Sequence, residues 1–446
     1  MKAVILAGGR GTRLASRTNG LPKPLALVQG KPLLAYQFEL LARHHVAQVT
    51  VLCGYGAQAI RSFCGNGAQW GLQIECIDES RPLGTAGAVL DALPSLPERF
   101  LVLYGDTMVN VDLARFWAAH KASHAVATLF LHPNDHPQDS DLVETGPDGA
   151  IHAFHPYPHP AGAILPNQVN AALYVIEASA LRGLSSSGKP LDFGKHVFPE
   201  LLAHGLRLQG YRSPEYIKDA GTPKRLDCVA ADVASGLVEQ SSLDVPRPAV
   251  LLDRDGTINE EVSYIHGPEQ FRLIPGAAQG IRLLRQAGYR IAVVTNQPVV
   301  ARGECTLAEL QRIHNFMEME LSGEGAFVDS IYFCPHHPHS GYPGEVRELK
   351  FECACRKPRG GMVEQAAREL NLDLAHSWFV GDRTGDIETA RVCGLRSVLL
   401  CTGIGGADGK YPATPTAICD NLPAAARFII DADSAGNPRP QEVLPG

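Results

Sequence analysis

Short β-rich runs alternate with helical-period segments along both halves of the chain, and that alternation leaves few folds open. It is the pattern of α/β domains, in which a mainly parallel sheet is wrapped by helices. In the first half the expected strands are Ala3–Leu6, Val49–Leu52, Leu72–Ile77, Phe100–Leu103 and Ala125–Leu131, with helices over Leu33–His44 and Ala86–Leu93. In the second half they are Ala249–Leu252, Arg290–Val294, Ser330–Phe333, Trp378–Val380 and Ser397–Leu400. The segment Thr306–Leu321 carries Leu307, Leu310, Ile313, Phe316 and Met317 on one helical stripe, as core packing requires.

Between the halves, Ala234–Pro248 holds serines and prolines without sustained periodicity. It is read as a linker, giving domains over 1–236 and 247–432, a linker over 237–246 and a flexible tail over 433–446. A chain of 446 residues gives each domain a core of ordinary size. The formal net charge of -7 gives no footprint for nucleic acid, so phosphate ligands must be held by local sites. No apolar run reaches signal or membrane-span length. Eleven cysteines, an odd number in a large chain, favour thiols and metal over a disulfide framework. A reduced cytoplasmic protein acting on small molecules is the expectation, with no membrane or nucleic-acid partner.

The first strand runs into Gly8-Gly9-Arg10-Gly11-Thr12-Arg13-Leu14. A glycine-rich turn after a strand exposes backbone N–H groups to phosphate oxygens that side chains would block. A dinucleotide fingerprint would need glycine at position 14, which is leucine, and the P-loop's Gly-Lys-Ser/Thr is absent. Next comes Leu21-Pro22-Lys23-Pro24-Leu25, where two prolines restrict the backbone around one ammonium. Tyr104-Gly105-Asp106 then ends an apolar strand with a carboxylate, where an open α/β sheet places ligands.

Together these segments resemble the sugar nucleotidyltransferases over about residues 1–230. The resemblance implies that Gly8, Gly9, Gly11, Thr12, Glu79, Gly84, Thr85 and Asp106 bind a nucleoside triphosphate. Arg13 would neutralise the leaving pyrophosphate, and Lys23 would contact the α-phosphate or the sugar phosphate. Asp106 and Asp219 would hold Mg²⁺ while a sugar 1-phosphate oxygen attacks in line. Asn170 would contact the sugar. Many relatives carry Glu-Lys-Pro before that asparagine, whereas this chain reads Ala153-Phe154-His155-Pro156-Tyr157, so Lys195 is the candidate replacement for the missing lysine.

The second half opens on Asp253-Arg254-Asp255-Gly256-Thr257 after its first strand. Two carboxylates two residues apart point the same way and can divide the work. One attacks phosphorus, while the other, protonated, serves the leaving alcohol and later activates water. This resembles the haloacid dehalogenase phosphatases over about residues 247–430. The resemblance implies that Thr295 binds the phosphoryl group and Lys357 balances charge. Asp382 would complete a Mg²⁺ site with Asp253 and the backbone carbonyl of Asp255.

Before Lys357, Cys334-Pro335-His336-His337 and Cys353-Ala354-Cys355 supply three thiols and an imidazole. Cys334, His336, Cys353 and Cys355 are the expected ligands of a structural Zn²⁺; His337 can replace His336, and His339 is expected to face solvent. This zinc loop is similar to those of the histidinol-phosphate and heptose-bisphosphate phosphatases. The heptose branch fits better, through Asn259 to Tyr264 with His266, Thr295-Asn296-Gln297 and Ala301-Arg302-Gly303. Tyr264, Asn296, Gln297, Arg302, Arg356 and Arg383 are then the implied substrate contacts. Pro298 and Arg383 stand where Ser and Lys are commoner.

A heptose bisphosphatase would leave heptose 1-phosphate, and a nucleotidyltransferase would consume it. The first half looks most like guanylyltransferases, which makes GDP-D-glycero-α-D-manno-heptose the implied product. Two alternatives stay open. One is a mannose 1-phosphate guanylyltransferase joined to a histidinol-phosphatase-like enzyme; the other is a noncatalytic nucleotide sensor on a phosphatase.

Overall fold

The central parallel strands Lys2–Ala7, Arg99–Tyr104, Ala249–Leu252, Arg290–Asn296 and Trp378–Gly381 are buried along most of their length on both faces, so helices must cover both sides of each sheet there. The computed structural model describes residues 1–18, 20–184 and 189–436, and within them the chain forms two units. The first comprises Met1–His132, Gln138–Pro160 and Gln168–Asp244; the second comprises Pro133–Pro137, Ala161–Asn167 and the chain from Val245 onward.

The first unit holds a nine-stranded mixed sheet. Its parallel part runs in the order Arg99–Tyr104, Lys2–Ala7, Gln48–Cys53, Gln73–Asp78. The carboxyl ends of all four strands meet at one edge. There the Gly105 N–H donates to Leu6 O at 2.9 Å, Tyr55 N–H to Gly8 O at 3.2 Å and Glu79 N–H to Cys53 O at 2.7 Å. Val169–Glu177 joins antiparallel to Arg99–Tyr104 and carries Leu142–Thr145, Ile151–His155, Ala127–His132 and Leu208–Arg212 beside it. Apart from Ala127–His132, this antiparallel part lies outside the expected strands, because residues 169–177 carry apolar side chains on both faces and show no two-residue alternation. A separate ribbon pairs Thr107–Asn110 with Tyr216–Asp219, which brings the chain around Asp219 beside Asp106.

The second unit is a six-stranded, all-parallel sheet in the order Ser330–Cys334, Arg290–Asn296, Ala249–Leu252, Trp378–Gly381, Arg396–Leu400, Ala417–Cys419. Apolar clusters fill both faces of it. Helix Leu307–Gly323 is capped at Thr306, whose Oγ1 accepts from Glu309 N–H at 3.1 Å while Glu309 Oε2 accepts from Thr306 N–H at 2.7 Å. Leu310, Ile313 and Met317 are buried, with Phe316 packed against them; Leu307, in the first turn, is exposed.

Two boundaries differ from the sequence reading. The stretch read as a linker over 237–246 is ordered into the first unit as far as Asp244. Leu237–Gln240 is helical, Val238 and Leu243 are buried, and the Val238 carbonyl accepts from Asn110 Nδ2 at 2.8 Å. Two apolar anchors among polar residues are too few for a periodic signal. At the other end, helix Leu422–Gly436 runs through the start of the expected tail, and Asp433 accepts from Arg396 Nη1 at 2.5 Å and Trp378 Nε1 at 3.3 Å. The rest of that tail, 437–446, lies outside the described residues.

Candidate active sites

In the first unit the glycine loop wraps the edge where the parallel strands end. Gly11 has φ +63, a left-handed conformation, and a Cβ there would sit 2.6 Å from Lys23 Cγ. A Cβ on Gly8 would lie 2.1 Å from Glu79 Oε1. Both glycines therefore let expected nucleotide-site residues approach the backbone closely. Thr12 and Arg13 form a short 3₁₀ turn directly after the loop.

Lys23 Nζ lies 3.1 Å from Asp106 Oδ2. A methyl placed on Gly221 would be 3.5 Å from Lys23 Nζ, 3.7 Å from Arg13 Nη2 and 3.9 Å from Asp219 Oδ1. Two cations and two carboxylates from four chain segments thus surround one small volume. Ala220 N–H donates to Asp106 O at 2.8 Å, fixing the two acidic segments side by side. Their carboxylates are paired with cations here: Asp106 with Lys23 and Asp219 with Arg225.

Gly84 and Thr85 open helix Gly84–Ala92. Thr85 Oγ1 donates to Asp192 Oδ2 at 2.9 Å and accepts from Phe193 N–H at 3.0 Å, tying that helix to the turn bearing Lys195. A Cβ on Gly194 would lie 3.2 Å from Asn170 Nδ2, so Asn170 and Lys195 come from adjoining backbone. Asn170 Oδ1 is buried without a hydrogen-bond partner among the described residues. Lys195 lines a cavity of about 630 Å³ with Phe154, Tyr157 and Pro199, a lining that includes neither Asn170 nor Lys23.

In the second unit, Asp253 follows Leu252 at the centre of the sheet, where its N–H donates to Val380 O at 2.9 Å. One carboxylate oxygen from each of Asp253, Asp382 and Asp386 lies within 4.8 Å of the others, and all three residues are buried. Lys357 Nζ sits 2.9 Å from Asp253 Oδ1 and 2.6 Å from Asp386 Oδ1. Burial pulls the Lys357 ammonium down, but Asp253 and Asp386 outweigh it and hold its pKa above the ordinary value. Burial, then the Asp253 charge, pushes Asp382 up to about 8 and Asp386 up to about 7. A site with this surplus of crowded carboxylate is suited to a hard divalent cation. Gly256, at φ +77, lets the backbone cross Asp382, since a Cβ there would be 2.3 Å from Asp382 Oδ2.

The Asp255 side chain turns the other way. It accepts from Arg254 Nη2 at 2.8 Å, Gln297 Nε2 at 2.7 Å and Asn259 Nδ2 at 3.0 Å. Burial would raise its pKa, yet Arg254, with Asn259 and Gln297, brings it below the ordinary carboxylate value. Asp255 is expected to act in protonated form, and the fully buried Arg254 guanidinium that faces it favours its ionised form. Thr295 Oγ1 accepts from Gln297 Nε2 at 3.0 Å. Asn296 is joined by two hydrogen bonds to the backbone of Lys357.

The other expected contacts are spread around the site. The Arg302 guanidinium lies 4.3 Å from the Tyr264 ring centre and 4.6 Å from that of Tyr342. Arg356 Nη1 donates to His336 O at 3.1 Å, and Arg383 Nη2 donates to Glu261 Oε2 at 2.9 Å. Asp386, Arg254 and Tyr342 escaped the sequence reading. Of these, Asp386 had a usable signal: it lies four residues beyond Asp382, at the opening of the helix that follows the strand.

Cys334, His336, Cys353 and Cys355 converge with all four donor atoms within 4.8 Å of one another. The Cys355 Sγ lies 3.3 Å from Cys334 Sγ, 3.2 Å from Cys353 Sγ and 3.2 Å from His336 Nδ1. A tetrahedral zinc centre with ligand bonds near 2.3 Å separates its donors by roughly 3.7 Å, so the donor set fits zinc. His337 instead packs its buried ring against Tyr342 and His339.

Comparison with known proteins separates the same two halves. The Nucleotidyl transferase family profile matches residues 2–236, and a HAD-hydrolase-like profile matches residues 354–425. The D-glycero-beta-D-manno-heptose-1,7-bisphosphate 7-phosphatase of Yersinia pestis is 41% identical over 157 residues, covering 35% of this chain and 81% of that protein. The solved D,D-heptose 1,7-bisphosphate phosphatase from B. bronchiseptica, complexed with magnesium and phosphate, is 33% identical; the match covers 42% of this chain and 99% of that one, with a TM-score of 0.37. HddC from Yersinia pseudotuberculosis is 22% identical, covering 52% of this chain and 99% of that one, with a TM-score of 0.45.

Proposed function

The chain is a bifunctional enzyme that belongs to the nucleotidyl transferase family through its first half and to the heptose bisphosphate phosphatases through its second, and on that premise we propose that it makes a nucleotide-heptose in two consecutive reactions. The first removes the 7-phosphate of D-glycero-D-manno-heptose 1,7-bisphosphate. The second joins GMP from GTP to the heptose 1-phosphate that remains, releasing pyrophosphate. One observation carries the reading: the phosphatase half is similar to an enzyme that spares the 1-phosphate, and it shares a chain with a transferase half whose nucleophile would be that group. Surface polysaccharide synthesis in the cytoplasm is the setting proposed for the product.

In the phosphatase reaction an Asp253 oxygen attacks phosphorus, and the bond between phosphorus and the sugar 7-oxygen breaks. Asp255 passes a proton to that oxygen, then takes one from the water that attacks the phosphoaspartate and frees Asp253 and phosphate. Asp255 takes that first proton from solvent as the substrate's charge arrives, against the Arg254 guanidinium, which favours its ionised form. Lys357, between Asp253 and Asp386, offsets the charge that gathers during attack. Asp253, Asp382 and Asp386 would hold Mg²⁺, which when bound screens the nucleophile from the phosphate. Zn²⁺ on Cys334, His336, Cys353 and Cys355 would be structural, fixing the loop that leads into Arg356 and Lys357.

Specificity for the 7-phosphate requires that the distal 1-phosphate be held away from Asp253. Arg302, between two tyrosine rings, has a buried Nε without a partner among the described residues, and Arg356 follows the last thiol; both are assigned to that phosphate. In the transferase, Arg13 and Lys23 face the triphosphate, Asp106 and Asp219 would hold Mg²⁺, and the unpartnered Asn170 Oδ1 meets a sugar hydroxyl. The test supplies heptose 1,7-bisphosphate with GTP, ATP, CTP and UTP in competition and identifies the nucleotide sugar by mass spectrometry. GDP-heptose is expected. A product still bearing the 7-phosphate would overturn the order, and an ADP product would overturn the donor.

A further inference from the structure

We infer that His44, Asp112 and Asp244 form a binding site for a divalent transition-metal cation within the nucleotidyltransferase unit, separate from the residues of both active sites. One imidazole nitrogen of His44 and one carboxylate oxygen from each aspartate lie within 4.8 Å of one another. The three ligands come from distant parts of the chain. His44 closes helix Leu33–Arg43, Asp112 opens helix Leu113–Ser123, and Asp244 ends the unit.

Two features mark this as more than surface acidity. His44 Nε2 is shut off from solvent and has no hydrogen-bond partner among the described residues, a cost that a bound ligand or a reorientation of the ring toward it would remove. Beneath the cluster lies Glu215, fully buried, whose Oε1 accepts from both Asp112 N–H at 2.7 Å and Leu243 N–H at 3.0 Å, while Oε2 accepts from Ser213 Oγ at 2.9 Å. A single carboxylate thus fixes the backbone at Asp112 and beside Asp244, the kind of support that holds ligands in place. Asp112 Oδ1 accepts from the Arg115 N–H, which caps its helix. Arg43 opposes the site, its Nε 3.8 Å from Asp244 Oδ2 on an exposed side chain.

One imidazole with two carboxylates selects a borderline transition metal over Mg²⁺ or Ca²⁺, which take oxygen ligands; water completes the shell. Bound there, the ion cross-links three elements and clamps residues 237–244 to the domain. The experiment titrates Co²⁺ into the full chain with zinc left in its cysteine loop and excess Mg²⁺ present. Calorimetry gives stoichiometry, and absorbance separates nitrogen–oxygen ligation from thiolate charge-transfer bands. One equivalent of Co²⁺ without thiolate bands is expected, together with a raised melting temperature. His44→Ala, Asp112→Asn and Asp244→Asn should each weaken binding about 10-fold or more; asparagine keeps the helix cap at position 112. Absence of that equivalent overturns the site. So does unchanged Co²⁺ affinity in the two asparagine variants, which decide the matter even if His44→Ala does not fold.

Discussion

Asn296 and Lys357 are locked together at the carboxyl edge of the phosphatase sheet: the Lys357 N–H donates to Asn296 Oδ1 at 3.0 Å, and Asn296 Nδ2 donates to the Lys357 carbonyl at 3.2 Å. Both ends of the amide are engaged, so Asn296 positions the lysine that bridges Asp253 and Asp386. Asn296→Ala would strand two partly buried backbone groups, at about 1–3 kcal/mol, and let the ammonium drift. Phosphate release should fall roughly 10-fold in kcat with KM little changed, and nucleotidyl transfer should be untouched. A rise in KM alone would instead make Asn296 a direct substrate contact.

The two chemistries should separate cleanly by mutation. Asp253→Asn removes the phosphatase nucleophile, whereas Lys23→Ala removes the ammonium beside Asp106. Each is expected to cost its own reaction about 10²-fold or more and leave the other unchanged. Phosphate-release and pyrophosphate-release assays on the same two variants provide the check. Loss of transfer in folded Asp253→Asn protein would contradict independent sites.

What could be read from the sequence was concentrated at strand ends, where one residue type has one physical use. Gly11 and Gly256 are legible because a side chain there would collide with Lys23 or Asp382. Cys334, Cys353 and Cys355 are legible because thiols paired with an imidazole at that spacing have few other uses. Arg254 was not, since an arginine between two aspartates reads as surface charge, yet its side chain is buried against Asp255 and Gln297. Val238 and Leu243 were hidden for the opposite reason: two apolar anchors in a polar stretch make no period, and tertiary packing alone decides their burial.

Metal content tests the cysteine loop. Protein prepared without chelator should carry zinc bound to Cys334, His336, Cys353 and Cys355, four ligands leaving no open position. Cys353→Ser should lower zinc content and weaken binding of the bisphosphate substrate, because Arg356 is anchored to the His336 carbonyl within the same loop. Zinc lost with substrate affinity unchanged would show that the loop does not set the Arg356 position.

Glu215 gives the first unit a pH dependence whose sign can be worked out. Burial pushes its carboxyl up to about 7, against the Leu243 and Asp112 amides and the Ser213 hydroxyl, which lower it. In the unfolded chain a glutamate titrates near 4.3. The folded state therefore holds the proton more tightly than the unfolded one. The resulting stabilisation is complete below about pH 4 and is lost progressively as pH rises through about 7, a loss on the order of 3 kcal/mol in all. Glu215→Gln keeps a carbonyl for the two amides and removes the titration. Melting temperatures of the two proteins, measured from pH 5 to pH 8 without added metal, should converge at low pH. As pH rises, the wild type should fall relative to Glu215→Gln. Parallel curves across that range would show that Glu215 ionises alike in both states and that its burial is relieved by water.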